Sequence, residues 1–321
     1  TSSREGATGR RDSPITGQLY GDIFHSYYDK QKGRWEKPTL VDENLTVDTG
    51  DDEGAASFDS RGTTMYFTRC RYDKTKSMGA EIYTSSETGG TWSEPVRVEL
   101  GGDTLLIAHP SLSNDGRTLY FVSDMPGGFG GKDIWKAEGA PGAWGKPENM
   151  GPAINTPGNE MFPFIHNKGT LFFSSDGHVG FGLLDVFATI SGDDDAIVNI
   201  LNLGEPINSS KDDFSYYLSE EGFDGYISSN REGRVGDDDI YKFTRIPPLM
   251  LKGQIFDDAN NQPIENAKVV LKDANGEEII RVDSVTHFYR LWGVMDYVNQ
   301  EGYKKAKDYQ DWRLKQREVS K

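Results

Sequence analysis

The sequence predicts an all-β protein: a β-propeller of about five blades, with six as the alternative, followed by a small β-sandwich. Three observations carry this. An acidic, β-branched, aromatic triplet recurs in phase. Glycine-bearing turns sit at a fixed place before it. The spacing matches one four-stranded propeller blade per repeat, about 40–50 residues.

The triplets are Asp22-Ile23-Phe24, Glu81-Ile82-Tyr83, Asp133-Ile134-Trp135, Asp185-Val186-Phe187 and Asp239-Ile240-Tyr241, at intervals of 59, 52, 52 and 54 residues. Upstream of the last four lie strand-like runs: Thr63–Thr68, Thr118–Ser123, Thr170–Ser175 and Gly225–Ser229. Ser2-Ser3-Arg4 is the end of a fifth. Turns containing Gly62, Gly116, Gly169 and Gly222 precede the complete runs, and glycine supplies the positive φ that tight hairpins need. After three of the triplets come Trp35, Trp92 and Trp144, each followed three residues later by Pro38, Pro95 or Pro147. Proline there fits an outer strand, where a ladder donor can be spared. A lone four-stranded sheet cannot bury both faces, whereas blades packed around an axis can. The first repeat lacks its innermost strand and most of its second, so those strands must come from upstream or elsewhere. The domains expected are a propeller over 1–246, a sandwich over 247–303 and a charged tail or linker over 304–321.

Composition narrows the function. The net charge of −16 opposes nucleic-acid binding, which depends on neutralising phosphates, and disfavours an anionic membrane surface. No apolar run is long enough to span a bilayer. No secretory signal is visible, and the start at Thr1 without Met is that of a trimmed chain. The single cysteine, Cys70, excludes an intramolecular disulfide and reads as a half-buried strand residue.

The third repeat, from Ala108-His109-Pro110-Ser111 through Asp115-Gly116-Arg117-Thr118-Leu119-Tyr120-Phe121 to Pro126-Gly127-Gly128 and Asp133-Ile134-Trp135, resembles the WD-like repeat of TolB-type propellers. Residues 251–303 resemble a carboxypeptidase-regulatory-like, transthyretin-like sandwich, through Leu251-Lys252-Gly253-Gln254-Ile255, Pro263 to Leu271, the turn from Asp273 to Gly276, and Glu301-Gly302-Tyr303. Asp283 to Phe288 is compressed against that pattern. The combination resembles the middle of PorE-type, OmpA-family periplasmic lipoproteins of the type IX secretion system of Bacteroidetes. The resemblance implies an outer-membrane-associated, periplasmic, non-catalytic scaffold that binds other envelope or secretion-system proteins. Peptidoglycan would be reached only through an OmpA-like domain that these residues do not include.

The repeated carboxylates Asp22, Glu81, Asp133, Asp185 and Asp239 read as structural acceptors for N–H groups of the preceding Gly-rich loop, since one acid per blade is spread around a ring. Trp35, Trp92 and Trp144 complete that structural set. Ser85 to Trp92 resembles the Asp-box of sialidases, with Glu87 where Asp is usual. A sialidase would also need converging arginines and a Tyr–Glu pair, so a glycan-binding or sialidase-like enzyme is the alternative. The runs Asp193-Asp194-Asp195 and Asp237-Asp238-Asp239 lack a full calcium-loop pattern, and the five histidines lack zinc-ligand spacing, so no metal or cofactor is expected. His109 reads as the third repeat's counterpart of Glu53, Glu160 and Asp213. Gly127 to Gly131 reads as a blade hairpin, because a phosphate cradle needs a following helix. Phe129 and Phe181 are the candidate protein-binding residues, as aromatic side chains on loops held by a rigid scaffold.

Overall fold

The computed structural model describes residues 21–42, 44–71, 79–102, 104–191, 197–233, 238–245, 262, 267–272 and 278–285. Ser2-Ser3-Arg4, Asp193-Asp194-Asp195, His287 and the 304–321 tail lie outside the described residues. The chain divides into two compact units, Thr1–Arg245 and Ile246–Lys321. All described elements are strands, and no helix among the described residues is long and apolar enough to cross a membrane.

In the first unit, β1 (Phe24–His25) pairs with β4 (Thr39–Leu40), and β2 (Tyr28–Asp29) pairs with β3 (Arg34–Trp35). These are the outer strands of the first repeat. The second repeat is the antiparallel sheet β5 (Asp52–Phe58), β6 (Thr64–Cys70), β7 (Ala80–Thr88), β8 (Thr91–Trp92), with β9 (Val96–Arg97) also on β7. The third repeats this plan with β10 (Ile107–Leu112), β11 (Thr118–Ser123), β12 (Asp133–Ala140), β13 (Ala143–Trp144) and β14 (Glu148–Asn149). The fourth has β15 (Glu160–Ile165), β16 (Leu171–Ser175), β17 (Asp185–Ser191) and β18 (Ile197–Asn202), and the fifth has β19 (Asp213–Leu218), β20 (Asp224–Ser229) and β21 (Asp239–Thr244).

The innermost strands follow one another in space: β5 lies beside β10, β10 beside β15, and β15 beside β19. Four sheets in this order make a propeller-like arrangement. Gly62, Gly116, Gly169 and Gly222 each close the first hairpin with φ between 70° and 85°, as their place in the repeat predicts. The long third strand explains the split outer edge. Its far half carries the Trp hairpin and its near half receives β9 or β14, with Pro95 or Pro147 in the break.

The apolar core lies between sheets. Met65 and Phe67 of β6 pack with Ile23 and Val47 of the first repeat, while Tyr66 faces Leu119, Phe121 and Trp135 of the third. Ile134 and Ile154 meet Leu171, Phe173 and Phe187 of the fourth. Alternation along one strand thus buries both faces of the second- and third-repeat sheets. Each such large side chain contributes about 1.5–3 kcal/mol when fully buried.

In the second unit, the described strands β22 (Ala267–Lys272) and β23 (Glu278–Val285) form an antiparallel pair. The rest of the expected sandwich lies outside the described residues.

Candidate functional site

The second-to-third-strand loops of the third and fourth repeats are built around a buried acid. Asp133 accepts the N–H of Phe129 at 2.5 Å and of Gly130 at 3.2 Å, and the Asn149 amide at 2.9 Å. Asp185 accepts the Phe181 N–H, and the Asn202 amide at 3.2 Å. The loops come this close because Gly128 and Gly180 carry no side chain: a Cβ on either would overlap the carboxylate it covers. Burial pushes the Asp185 carboxyl up to about 6, against the stabilising bonds from Phe181 and Asn202.

Glu81 is held differently. It is buried and forms ion pairs with Arg71 at 2.6 Å and Arg97 at 2.7 Å. Asp22 is buried and Asp239 is half-buried at the start of β21. These acids stand one per repeat and are not brought together.

The loops pinned by Asp133 and Asp185 present apolar side chains outward. Phe129 is 48% exposed, Val179 55% and Leu183 62%, whereas Phe181 is half-buried. Sequence reasoning missed Val179 and Leu183, whose signal is an apolar residue inside a polar, Gly-rich loop. The two loops flank one segment, Gly158-Asn159. Gly131 N–H bonds Gly158 O at 2.9 Å, and Asn159 N–H bonds the Asp176 carboxylate at 2.6 Å.

The tryptophans bridge consecutive sheets. Trp92 packs against the core between first and second repeats, and Trp144 against that between second and third. Trp144 meets Tyr66 edge-on at 6.1 Å. Trp35 meets Tyr226 of the last described repeat in the same way, at 6.2 Å. Tyr66 and Tyr226 hold the same register position, three residues before the partner of the triplet acid.

A cavity of about 520 Å³ opens between the innermost strands of four repeats. At its wall, Ala55, His109, Phe162 and Ser215 all adopt left-handed φ, between 37° and 51°, each at a bulge. Such angles are costly for residues other than glycine and concentrate where structure over-determines them. The His109 ring stacks on Phe162 at 3.9 Å, and Phe164 meets Tyr217 at 5.3 Å. Burial, with the Lys132 charge, pushes His109 down to about 4.

The bulge corrects one sequence reading. His109 does not share the place of Glu53, Glu160 and Asp213; it stands with Ala55, Phe162 and Ser215. Ile107 takes the acid's place, since it pairs with Ser123 as Glu53 pairs with Arg69, Glu160 with Ser175 and Asp213 with Ser229. Glu53 bonds Thr49 and Arg69, Glu160 bonds Thr156 and Ser175, and Asp213 bonds Ser209 and Arg231. These three acids tie β5, β15 and β19 to the turn four residues before each.

Two titratable groups on the cavity wall, Asp59 and His166, are similarly engaged. Asp59 accepts the N–H groups of Thr63 and Thr64, and His166 bonds the Ser219 carbonyl at 2.9 Å. In the Asp-box-like segment, Glu87 accepts the Gly90 N–H and pairs with Trp92 across the β7–β8 hairpin, so it shapes a turn. Among the described residues no three His, Cys, Asp or Glu side chains are placed to hold a metal ion. Cys70 is half-buried, with its thiol pushed up to about 12 by burial and nearby acids.

No family model and no curated protein matches the chain. Among solved structures the chain is similar to TolB from Acinetobacter baumannii, at 15% identity and a TM-score of 0.41, covering 85% of this chain and 66% of that one. It is also similar to a thermostable family-43 glycoside hydrolase, at 14% identity and 0.43, covering 67% and 79%. A third is a Hadza microbial sialidase, at 16% identity and 0.37, covering 64% and 46%. These similarities assign no activity. What the chain's own fold and site define is an all-β, propeller-like protein with loops pinned on one face and an aromatic-lined cavity among its innermost strands.

Proposed function

We propose that this protein is a non-catalytic, protein-binding scaffold of the bacterial cell envelope. The observation that carries the reading is the use of Asp133 and Asp185. Their carboxylates are spent on fixing two loops, which hold Phe129, Val179 and Leu183 in solvent. Exposed apolar anchors on a pre-organised support are what a protein partner can bury at low entropic cost. A five-bladed ring, a periplasmic outer-membrane location, a lipoprotein origin and a role in type IX secretion belong to the same proposal. They rest on the resemblance of the repeats and of residues 251–303, as does the carboxypeptidase-regulatory-like sandwich.

A second reading is glycan binding in the axial cavity. Its support is the aromatic lining from Phe162, Phe164 and Tyr217, since flat apolar faces suit sugar rings. The readings separate in one experiment. The immobilised chain is exposed to native envelope extracts, and to a glycan panel with fluorogenic sialosides. The scaffold reading expects a reproducible envelope protein whose capture falls at least tenfold in Phe129→Ala/Leu183→Ala. Capture of no such protein, or undiminished capture by the variant, refutes it. Glycan binding or turnover lost on Phe162→Ala favours the second reading.

A further inference from the structure

In the third and fourth repeats one asparagine grips the residue after the triplet acid from both sides. Ile134 N–H donates to Asn155 Oδ1 at 2.8 Å, and Asn155 Nδ2 donates back to the Ile134 carbonyl at 2.9 Å. Val186 and Asn208 repeat this at 2.8 and 2.9 Å. The other amide hydrogen goes to Asn149 Oδ1 or Asn202 Oδ1. Oxygen accepts and nitrogen donates, as only an amide does.

In the first repeat the place belongs to Asp48. Ile23 corresponds to Ile134 and Val186: each follows the acid, and its carbonyl accepts the N–H of Val41, Met150 or Leu203. Ile23 N–H donates to Asp48 Oδ1 at 2.9 Å, as Ile134 does to Asn155. Asp48 is fully buried. By repeat equivalence its second oxygen holds the place of a donor nitrogen, and an ionised carboxylate has no hydrogen to offer there.

Among the described residues no cation is paired with Asp48. Asp42 N–H reaches Asp48 Oδ2 at 3.3 Å, but the buried Asp42 carboxylate is itself held by the N–H groups of Asn44, Thr46 and Val47. Asp22 is buried too, and Asp52 takes the Gly21 N–H. Arg69 reaches Val47 O, but its ion pair is with Glu53 at 2.8 Å.

We propose that Asp48 is a proton-binding site, whose neutral carboxyl replaces the amide of Asn155 and Asn208 and clasps the first repeat onto the second. The Oδ2–H donates where Nδ2–H donates elsewhere, and ionisation removes that donor and sets a charge beside Asp22 and Asp42. Burial, with those two charges, pushes the group up to about 6, against the N–H bonds from Ile23 and Asp42. The folded chain therefore keeps a proton that the unfolded chain releases. Stability falls as pH rises from about 4 to about 6 and is level above. The clasp is tight in mild acid and loosened at neutral pH.

The test is denaturation of the whole chain between pH 4 and 8, with hydrogen exchange at Ile23 and a carboxyl titration of Asp48. Other buried acids and His109 add their own slopes, so the reading is the difference between Asp48→Asn and the parent. Asp48→Asn should restore the amide, remove its share of the decline, and raise the folding constant above pH 6 by about tenfold or more. Asn155→Asp should create a decline of the same sign in the third repeat. An unchanged decline in Asp48→Asn, or an Asp48 midpoint near 4, overturns the proposal. So does calcium that stabilises the parent and not the variant, which would make a cation, and not a proton, the occupant.

Discussion

If Trp35 closes the first repeat against the last, removing it should cost stability through a partner nearly two hundred residues away. Trp35 is 51% exposed, so about half its side chain is covered. A buried tryptophan hides about 150–250 Å², and half of that at about 25 cal/mol per Å² gives roughly 2–3 kcal/mol for Trp35→Ala. Part of this belongs to Tyr28, which Trp35 meets edge-on at 5.3 Å within its own hairpin. The long-range part is isolated by a double-mutant cycle with Tyr226→Ala, where an edge-to-face pair should couple by about 0.5–1.5 kcal/mol. The internal standard is Trp144 with Tyr66. Its rings stand at 6.1 Å and 73°, against 6.2 Å and 70° for Trp35 with Tyr226. Urea denaturation followed by tryptophan fluorescence reads both cycles. Coupling of roughly 1 kcal/mol in the standard and below about 0.3 kcal/mol for Trp35 and Tyr226 would refute closure.

Two further outcomes follow from the site. Asp133→Ala leaves the Phe129 and Gly130 N–H groups and the Asn149 amide without their acceptor. A loss of about 3 kcal/mol is expected, with faster hydrogen exchange at Phe129; a loss below about 1 kcal/mol would contradict the loop-pinning role. His109 is kept neutral in the fold, so stability is lost as pH falls from about 6.5 towards 4, where the unfolded chain takes up a proton. His109→Asn tolerates left-handed φ and does not titrate, so it should flatten that acid limb by about 3 kcal/mol; an unchanged limb in pH-dependent urea unfolding would count against a neutral ring.

Much of the first unit was legible because its repeats combine two local constraints with one register. Gly62, Gly116, Gly169 and Gly222 mark turns that need positive φ, and the triplet acids mark where each third strand begins. The cavity wall was illegible for the opposite reason. Ala55, His109, Phe162 and Ser215 share a backbone conformation and no side-chain chemistry, so no residue pattern announces them. The bulge also let His109 pass for an acid position two residues away, since spacing alone does not say which residue pairs across the sheet. Glu81 shows that one repeat position can be satisfied by different partners: its arginines come from Arg71 and Arg97, which the other repeats do not reproduce. The amide role of Asn155 and Asn208, and its loss at Asp48, appears only once Ile23, Ile134 and Val186 are superimposed by their hydrogen bonds.

The broken outer strand governs how molecules of this kind avoid one another. An exposed sheet edge invites a foreign strand to continue the ladder. In the second and third repeats the edge is cut into two-residue pieces around Pro95 and Pro147, too short to template a neighbour. Among the described residues the fourth repeat shows no such cut, and its outermost described strand, Ile197–Asn202, runs for six residues. Of these three rims, that strand is the one through which concentrated or partly unfolded molecules would join into aggregates, and a proline placed there is the protection its siblings already carry.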